Sequence, residues 1–198
     1  MVLNHLWGIY AHPREEWHTI EKRHESYRFS LSHIAIITII PAIMAWFSAA
    51  KLGWSIGVGE RIFLSSSEAV IMAFIIYSVL LAGIFGLTYI IHYMGKHYDS
   101  NPSWAQSLEL ASYTATPLFM SGLAAFYPEL WFFSFVAMGA LAYSIYLLYV
   151  GTPIIMRIPV EEGFVYASSI VTAAILLLVA TMIATVIAWG WLFHPIYS

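Results

Sequence analysis

Residues 65–94 read SSSEAVIMAFIIYSVLLAGIFGLTYIIHYM. From Ala69 to Met94 the stretch holds no Asp, Glu, Lys or Arg. The hydrocarbon core of a bilayer is about 30 Å thick, so a helix of about 20 apolar residues crosses it. This segment is long enough. Its start is also marked: Ser65 and Glu68 have capping-box spacing, in which each side chain takes up an otherwise unpaired amide of the first turn. The stretch reads as a transmembrane helix, and the bilayer becomes the solvent to reason from.

Four further stretches fit the same reading: 31–50, 107–126, 130–150 and 168–193. Ser103 and Gln106 repeat the capping-box spacing before the third span. Pro128 lies between the third and fourth spans, and Gly151 with Pro153 reads as the stop of the fourth. The short link between the third and fourth spans predicts an antiparallel helical hairpin. The whole chain agrees. Of its 198 residues, 61% are hydrophobic and 10% charged, where a soluble domain has about a quarter charged. Mean hydropathy is +0.77. Cysteine is absent, which excludes disulfides and thiolate metal sites. A net charge of −3 argues against nucleic acid as a partner. The charged N-terminus has no signal-peptide core.

The predicted fold is an all-α bundle of five transmembrane helices. Residues 31–198 form the membrane domain, and residues 1–30 a cytoplasmic segment. Positive charge sets the orientation. Arg14, Lys22, Arg23, Arg28, Lys96 and Arg157 fall on one side, and Lys51 and Arg61 on the other. The N-terminus is therefore expected in the cytoplasm and the C-terminus in the periplasm.

Within the N-terminal segment, Pro13, Glu15 and Glu16 suit a helix start. Trp17, Ile20, His24 and Tyr27 recur at helical spacing. Residues 13–27 therefore read as a short amphipathic helix on the membrane surface. Trp7, Tyr10, Trp17 and Ile20 are its interfacial docking residues. His12, His18 and His24 stand six apart, which does not place them on one helical face; they read as solvated.

Two internal stretches carry polar chemistry. In SYTATPLF, residues 112–119, Pro117 removes a backbone donor and clashes with the carbonyl of residue 113. A kink or hinge is expected there, with Tyr113, Thr114 and Thr116 around it, and Pro41 in the first span is its counterpart. The hydroxyls can satisfy backbone groups that proline frees. In the stretch 92–113, His92, His97, Asp99 and Glu109 are the candidates for an imidazole–carboxylate metal site. The alternative is ordinary interfacial residues at helix ends. Glu109, Tyr113, Thr116 and Met120 share one helix face. Arg157, Glu161 and Glu162 in the last loop read as solvated. Ala82 with Gly86, and Ala180, Ala184 and Ala188, have the spacing that lets membrane helices approach closely; intramolecular packing is the default, a homodimer seam the alternative.

No nucleophile–base motif or phosphate loop occurs, and no span carries Asp, Glu, Lys or Arg near its centre. No catalytic residue and no cofactor are expected. Three stretches resemble the Yip1 family of membrane proteins, in particular its small bacterial inner-membrane members: LWGIYAHPREEWHTIEKRHES at 6–26, ASYTATPLFMSGL at 111–123 and YLLYVGTPIIMRIPVEEGFVYASSIV at 146–171. The resemblance implies five spans and a cytoplasmic N-terminus. Eukaryotic members of the family act in vesicle traffic and bind small GTPases. The N-terminal segment here is much shorter than theirs, so GTPase binding does not carry over. The expected function is non-enzymatic: organising the inner membrane or binding a partner, with membrane lipids, a protein or a second copy as partners. The alternative is a small-solute or ion transporter with a polar site near the cytoplasmic ends of the second and third spans.

Overall fold

The protein is seen in a computed structural model that describes residues 2–23, 27–55, 60–98, 100–192 and 196–197. Among the described residues, seven α-helices follow one another: α1 (Val2–Ala11), α2 (Pro13–Arg23), α3 (Tyr27–Phe47), α4 (Ser66–Gly95), α5 (Trp104–Met120), α6 (Leu130–Met156) and α7 (Val160–Leu192). A π-turn, Ser48–Leu52, extends α3, and a 3-10 turn, Ser121–Phe126, extends α5. Among the described residues, four segments are long and apolar enough to cross a membrane: Tyr27–Leu52, Ser66–Gly95, Leu130–Met156 and Val160–Ile187. The chain is a polytopic membrane protein.

Both capping boxes form as the sequence predicts. Ser65 Oγ accepts from the Glu68 amide, and the Glu68 carboxylate accepts from the Ser65 amide. Ser103 and Gln106 do the same at the start of α5. The Gln106 side chain also donates to the Ile155 carbonyl, tying the start of α5 to the end of α6.

α5 is the centre of the bundle, in contact with α3, α4 and α6. Leu108, Leu110, Ala111 and Tyr113 are fully buried on it. This position explains its composition. A helix covered by neighbours need not be apolar towards lipid, so α5 can carry Ser107, Glu109, Ser112, Thr114 and Thr116, all buried. The lipid-facing work falls to α4 and α7, where Phe74, Ile71, Leu176, Met182 and Val186 are exposed.

Two expectations change. Gly151 and Pro153 do not stop the fourth helix; α6 runs through both to Met156 and ends at Arg157, whose φ of +55° is left-handed. The Pro153 carbonyl instead accepts the Ile158 amide beyond the turn. The helix continues through Pro117: α5 stays α-helical to Met120 and tightens to 3-10 from Ser121. Gly122 in that turn lies directly on Pro41: a Cβ there would sit 2.8 Å from the Pro41 Cα. Pro41 thus lies at a close crossing of α3 with the 3-10 turn that follows α5. Finally, the fold includes a two-stranded antiparallel ribbon, β1 (Ile62–Phe63) with β2 (Ile196–Tyr197), at the end of the bundle away from α2. Arg61 caps the π-turn beside it, donating to the Leu52 carbonyl at 2.7 Å, and lies 3.7 Å from Glu129. Gly53, at φ +71°, is the C-cap of the π-turn, and the Phe63 ring fills the place of a side chain there.

Candidate functional site

The first two helices form a hairpin that folds back onto the bundle. Trp17 and Ile20 on α2 are fully buried. The Trp17 indole lies over Gly151, whose absent Cβ would be 2.5 Å from the ring, and it meets Tyr113 edge-on at 6.2 Å. The sequence reading places Trp17 and Ile20 at the membrane surface; the structure turns them inward. The reason is the flat patch that Gly151 leaves on α6, wide enough for an indole. Glu21 completes the dock: Arg157 Nε and Nη2 both reach its Oε1 at 2.7 Å. Arg157 is thus paired rather than merely solvated. On α1, the Ile9 carbonyl accepts from the Tyr143 hydroxyl at 2.9 Å, and Tyr10 stacks on Tyr143 at 5.5 Å. Burial, and then the neighbouring Tyr143 hydroxyl, raise the Tyr10 pKa above 10. Trp7 faces outward, 77% exposed.

Beneath Trp17 lies a buried polar cluster. His33 on α3 is fully buried, 4.5 Å from the Tyr113 ring. Its Nε2 is 3.2 Å from Thr116 Oγ1. The Thr116 hydroxyl spends its one proton on the Ser112 carbonyl, 3.0 Å away. It must therefore accept from His33, which fixes a proton on Nε2. Glu109, one turn before Tyr113 on α5, is also buried. The face of Glu109, Tyr113 and Thr116 read from sequence is thus the inward face, and its partner is His33.

His33 was not singled out in the sequence. The signal was there: it is the only ionisable side chain in residues 31–50, and an ionisable group inside a span marks a site by default. Of the residues proposed for metal, Glu109 belongs to this cluster, while His92 and His97 pack elsewhere. His92 stacks on Trp104 at 4.4 Å, and His97 lies 5.9 Å from the Tyr93 ring. Asp99 and His24 fall outside the described residues. Among the described residues no three His, Asp or Glu side chains come together to hold a metal ion.

The sequence model of the Yip1 domain family matches residues 7–194. The chain belongs to the Yip1 domain family. Inner membrane protein YohC of Escherichia coli strain K12 is 36% identical over 190 residues, which are 96% of this chain and 97% of the relative. YohC of Escherichia coli O6:H1 strain CFT073 matches equally. No solved structure matches. The homology and the helices together make the chain a multi-pass protein of the inner membrane. In this Yip1-domain protein the match takes in the docked α2 and the α3–α5 cluster alike.

Proposed function

We propose that this Yip1-domain protein is a non-enzymatic inner-membrane protein that binds a protein partner through its α1–α2 hairpin. The observation that carries the reading is the hairpin's two-sidedness. Its inner face is anchored by buried Trp17 and Ile20, while Trp7 and part of Tyr10 are presented outward. An anchored helix with an exposed indole is a rigid docking surface, and indoles are favoured at such contacts. The His33–Thr116 geometry supports a non-enzymatic role. A nucleophile donates its hydrogen bond to a base, whereas here the hydroxyl accepts a hydrogen bond from the imidazole.

In this reading the chain crosses the membrane five times. The 17-residue α5 and the 3-10 turn after it form the buried third span, about 37 Å at standard rises. The hairpin faces the cytoplasm. Arg157 and the loop after α4 share its end of the molecule, where the Met156 carbonyl accepts from Ser100 and Glu21 pairs with Arg157. The positive-charge bias assigns that end to the cytoplasm.

The test is a photo-crosslinking residue at position 7, compared with one at position 186 on the lipid face of α7. A discrete protein adduct at 7 and lipid adducts at 186 are expected, with the protein adduct lost on Tyr10→Ala in the same chain. Lipid adducts alone at both positions would remove the reading. The buried His33 and Glu109 favour transport as a second reading, since ionisable groups inside a membrane often line a path. Proteoliposomes that pass protons or small cations in the wild type, and not in His33→Ala, would establish it in place of the first.

A further inference from the structure

A cavity of about 160 Å³ lies between α4, α5, α6 and α7. Gly83 stands on its wall, and nothing lies within 4 Å of where a Cβ would be. Phe119 of α5 and Ile145 of α6 line it from within the bundle. Phe119 is only 4% exposed. The cavity continues outward. Val79 and Thr181 border both it and a groove of about 400 Å³ between α4 and α7, lined also by Ile75, Ala180 and Ala184. Ala180 and Ala184 are exposed, so the close helix contact that their spacing allows is not made among the described residues. Since α4 and α7 are the lipid-facing helices, the groove opens sideways to the bilayer.

The chemistry of the walls decides what fits. Four hydroxyl residues border the cavity and the groove: Thr114, Ser144, Thr181 and Thr185. Thr181 donates to the Leu177 carbonyl and Thr185 to the Thr181 carbonyl, both at 2.8 Å. The hydroxyl oxygens of Thr114 and Ser144 are sealed inside the packing, so these two residues meet the cavity through carbon. No charged residue lines either space. An occupant therefore finds neither a free donor nor a charge. That excludes water, because hydrocarbon-lined cavities of about this size stay dry and take apolar guests.

Size then separates the apolar guests. An α-helix is about 10–12 Å across with its side chains, so one turn displaces about 400–600 Å³. A helix of a second copy cannot enter the cavity, whereas a single hydrocarbon chain can. Cavity and groove together run along α4 from Ile75 to Leu87, about 18 Å at the helical rise. One leaflet, half of the hydrocarbon core, is about 15 Å deep. We infer that one acyl chain of a membrane phospholipid enters between α4 and α7 and seats its end beside Gly83, against Phe119 and Ile145. Escape from water does not draw it in, because lipid is as apolar as the walls. Contact does: the lining of an empty void lacks partner atoms, and the chain supplies them.

The test uses the full chain in vesicles of phosphatidylethanolamine and phosphatidylglycerol. The vesicles are doped with a phospholipid whose acyl chain carries a diazirine near its end. After illumination, mass spectrometry of the peptides locates the adducts. The wild type is expected to give lipid adducts on Phe119 and Ile145, as well as on the outward-facing Val186. Gly83→Leu puts a side chain into the cavity without displacing a neighbour, and Ala184→Phe obstructs the groove from an exposed position. Each variant is expected to lose the adducts at Phe119 and Ile145 and to keep those at Val186, with the Tm of the wild type. The last two readings separate loss of the site from loss of the fold. Wild-type adducts confined to outward faces would mean that lipid only passes along the surface, and would overturn the assignment. So would adducts at Phe119 and Ile145 that persist in both variants.

Discussion

Gly151 and Trp17 are a matched pair, and the match is steric. With a Cβ 2.5 Å from the indole, one of the two must move. Gly151→Ala is expected to cost about 1–3 kcal/mol, as overpacking does, and Trp17→Ala about 3–5 kcal/mol. The two losses should not add, because the double variant has no clash left to relieve. Thermal unfolding of the three proteins checks this, and strict additivity would place the contact elsewhere. The cluster below gives a second comparison. Thr116→Val leaves the His33 Nε2 donor facing a methyl group, so a loss of about 1–3 kcal/mol is expected. Thr38→Val removes only a back-bond to Ile34 and should be nearly neutral. Tyr10 adds a pH dependence. Its folded-state pKa is raised above 10, so the hairpin dock keeps this contribution below pH 10 and loses it as pH climbs through the folded value. Spectrophotometric titration of wild type against Tyr10→Phe should show one late-titrating tyrosine removed, with the alkaline weakening of the dock reduced.

Among the helices, α4 and α5 start where their sequences say. Ser65→Ala and Ser103→Ala each remove a capping box, and each should cost about 0.5–2 kcal/mol. Ser103→Ala should also loosen the link to α6, because Gln106 holds both the cap and the Ile155 carbonyl. Amide exchange at the first turns of α5 reads that difference. Caps are local chemistry and so are legible in a single sequence; long apolar runs are too, which is why α3, α4, α6 and α7 fall where hydropathy puts them. What sequence spacing misses is the partner across a contact. Gly151 reads as a stop until Trp17 is seen lying on it. The approach of Gly122 to Pro41 is of the same kind, announced by neither residue's spacing. The inward face of Glu109, Tyr113 and Thr116 follows from periodicity, but His33 joins it from 83 positions away, a separation that no periodic pattern carries.

At the level of the assembled bundle, its two ends are chemically different, and the difference permits a test of orientation that also tests the fold. One end carries the docked hairpin with Glu21 on Arg157; the other carries β1 and β2, where the Cα of Phe63 faces that of Ile196. Directly opposed residues in an antiparallel ribbon stand about 4.5–5.5 Å apart, within disulfide reach. The natural chain has no cysteine, so Phe63→Cys with Ile196→Cys introduces a single possible bridge. Disulfides persist in the periplasm and are reduced in the cytoplasm. If the ribbon end is periplasmic, the bridge is expected to form in growing cells, visible as a mobility shift removed by reductant and absent from either single variant. Two free thiols that react with a membrane-impermeant reagent from the periplasmic side would mean that the orientation holds and the strands do not pair. Thiols that react only after the inner membrane is opened would reverse the orientation, and would put the exposed Trp7 and the whole hairpin on the periplasmic face.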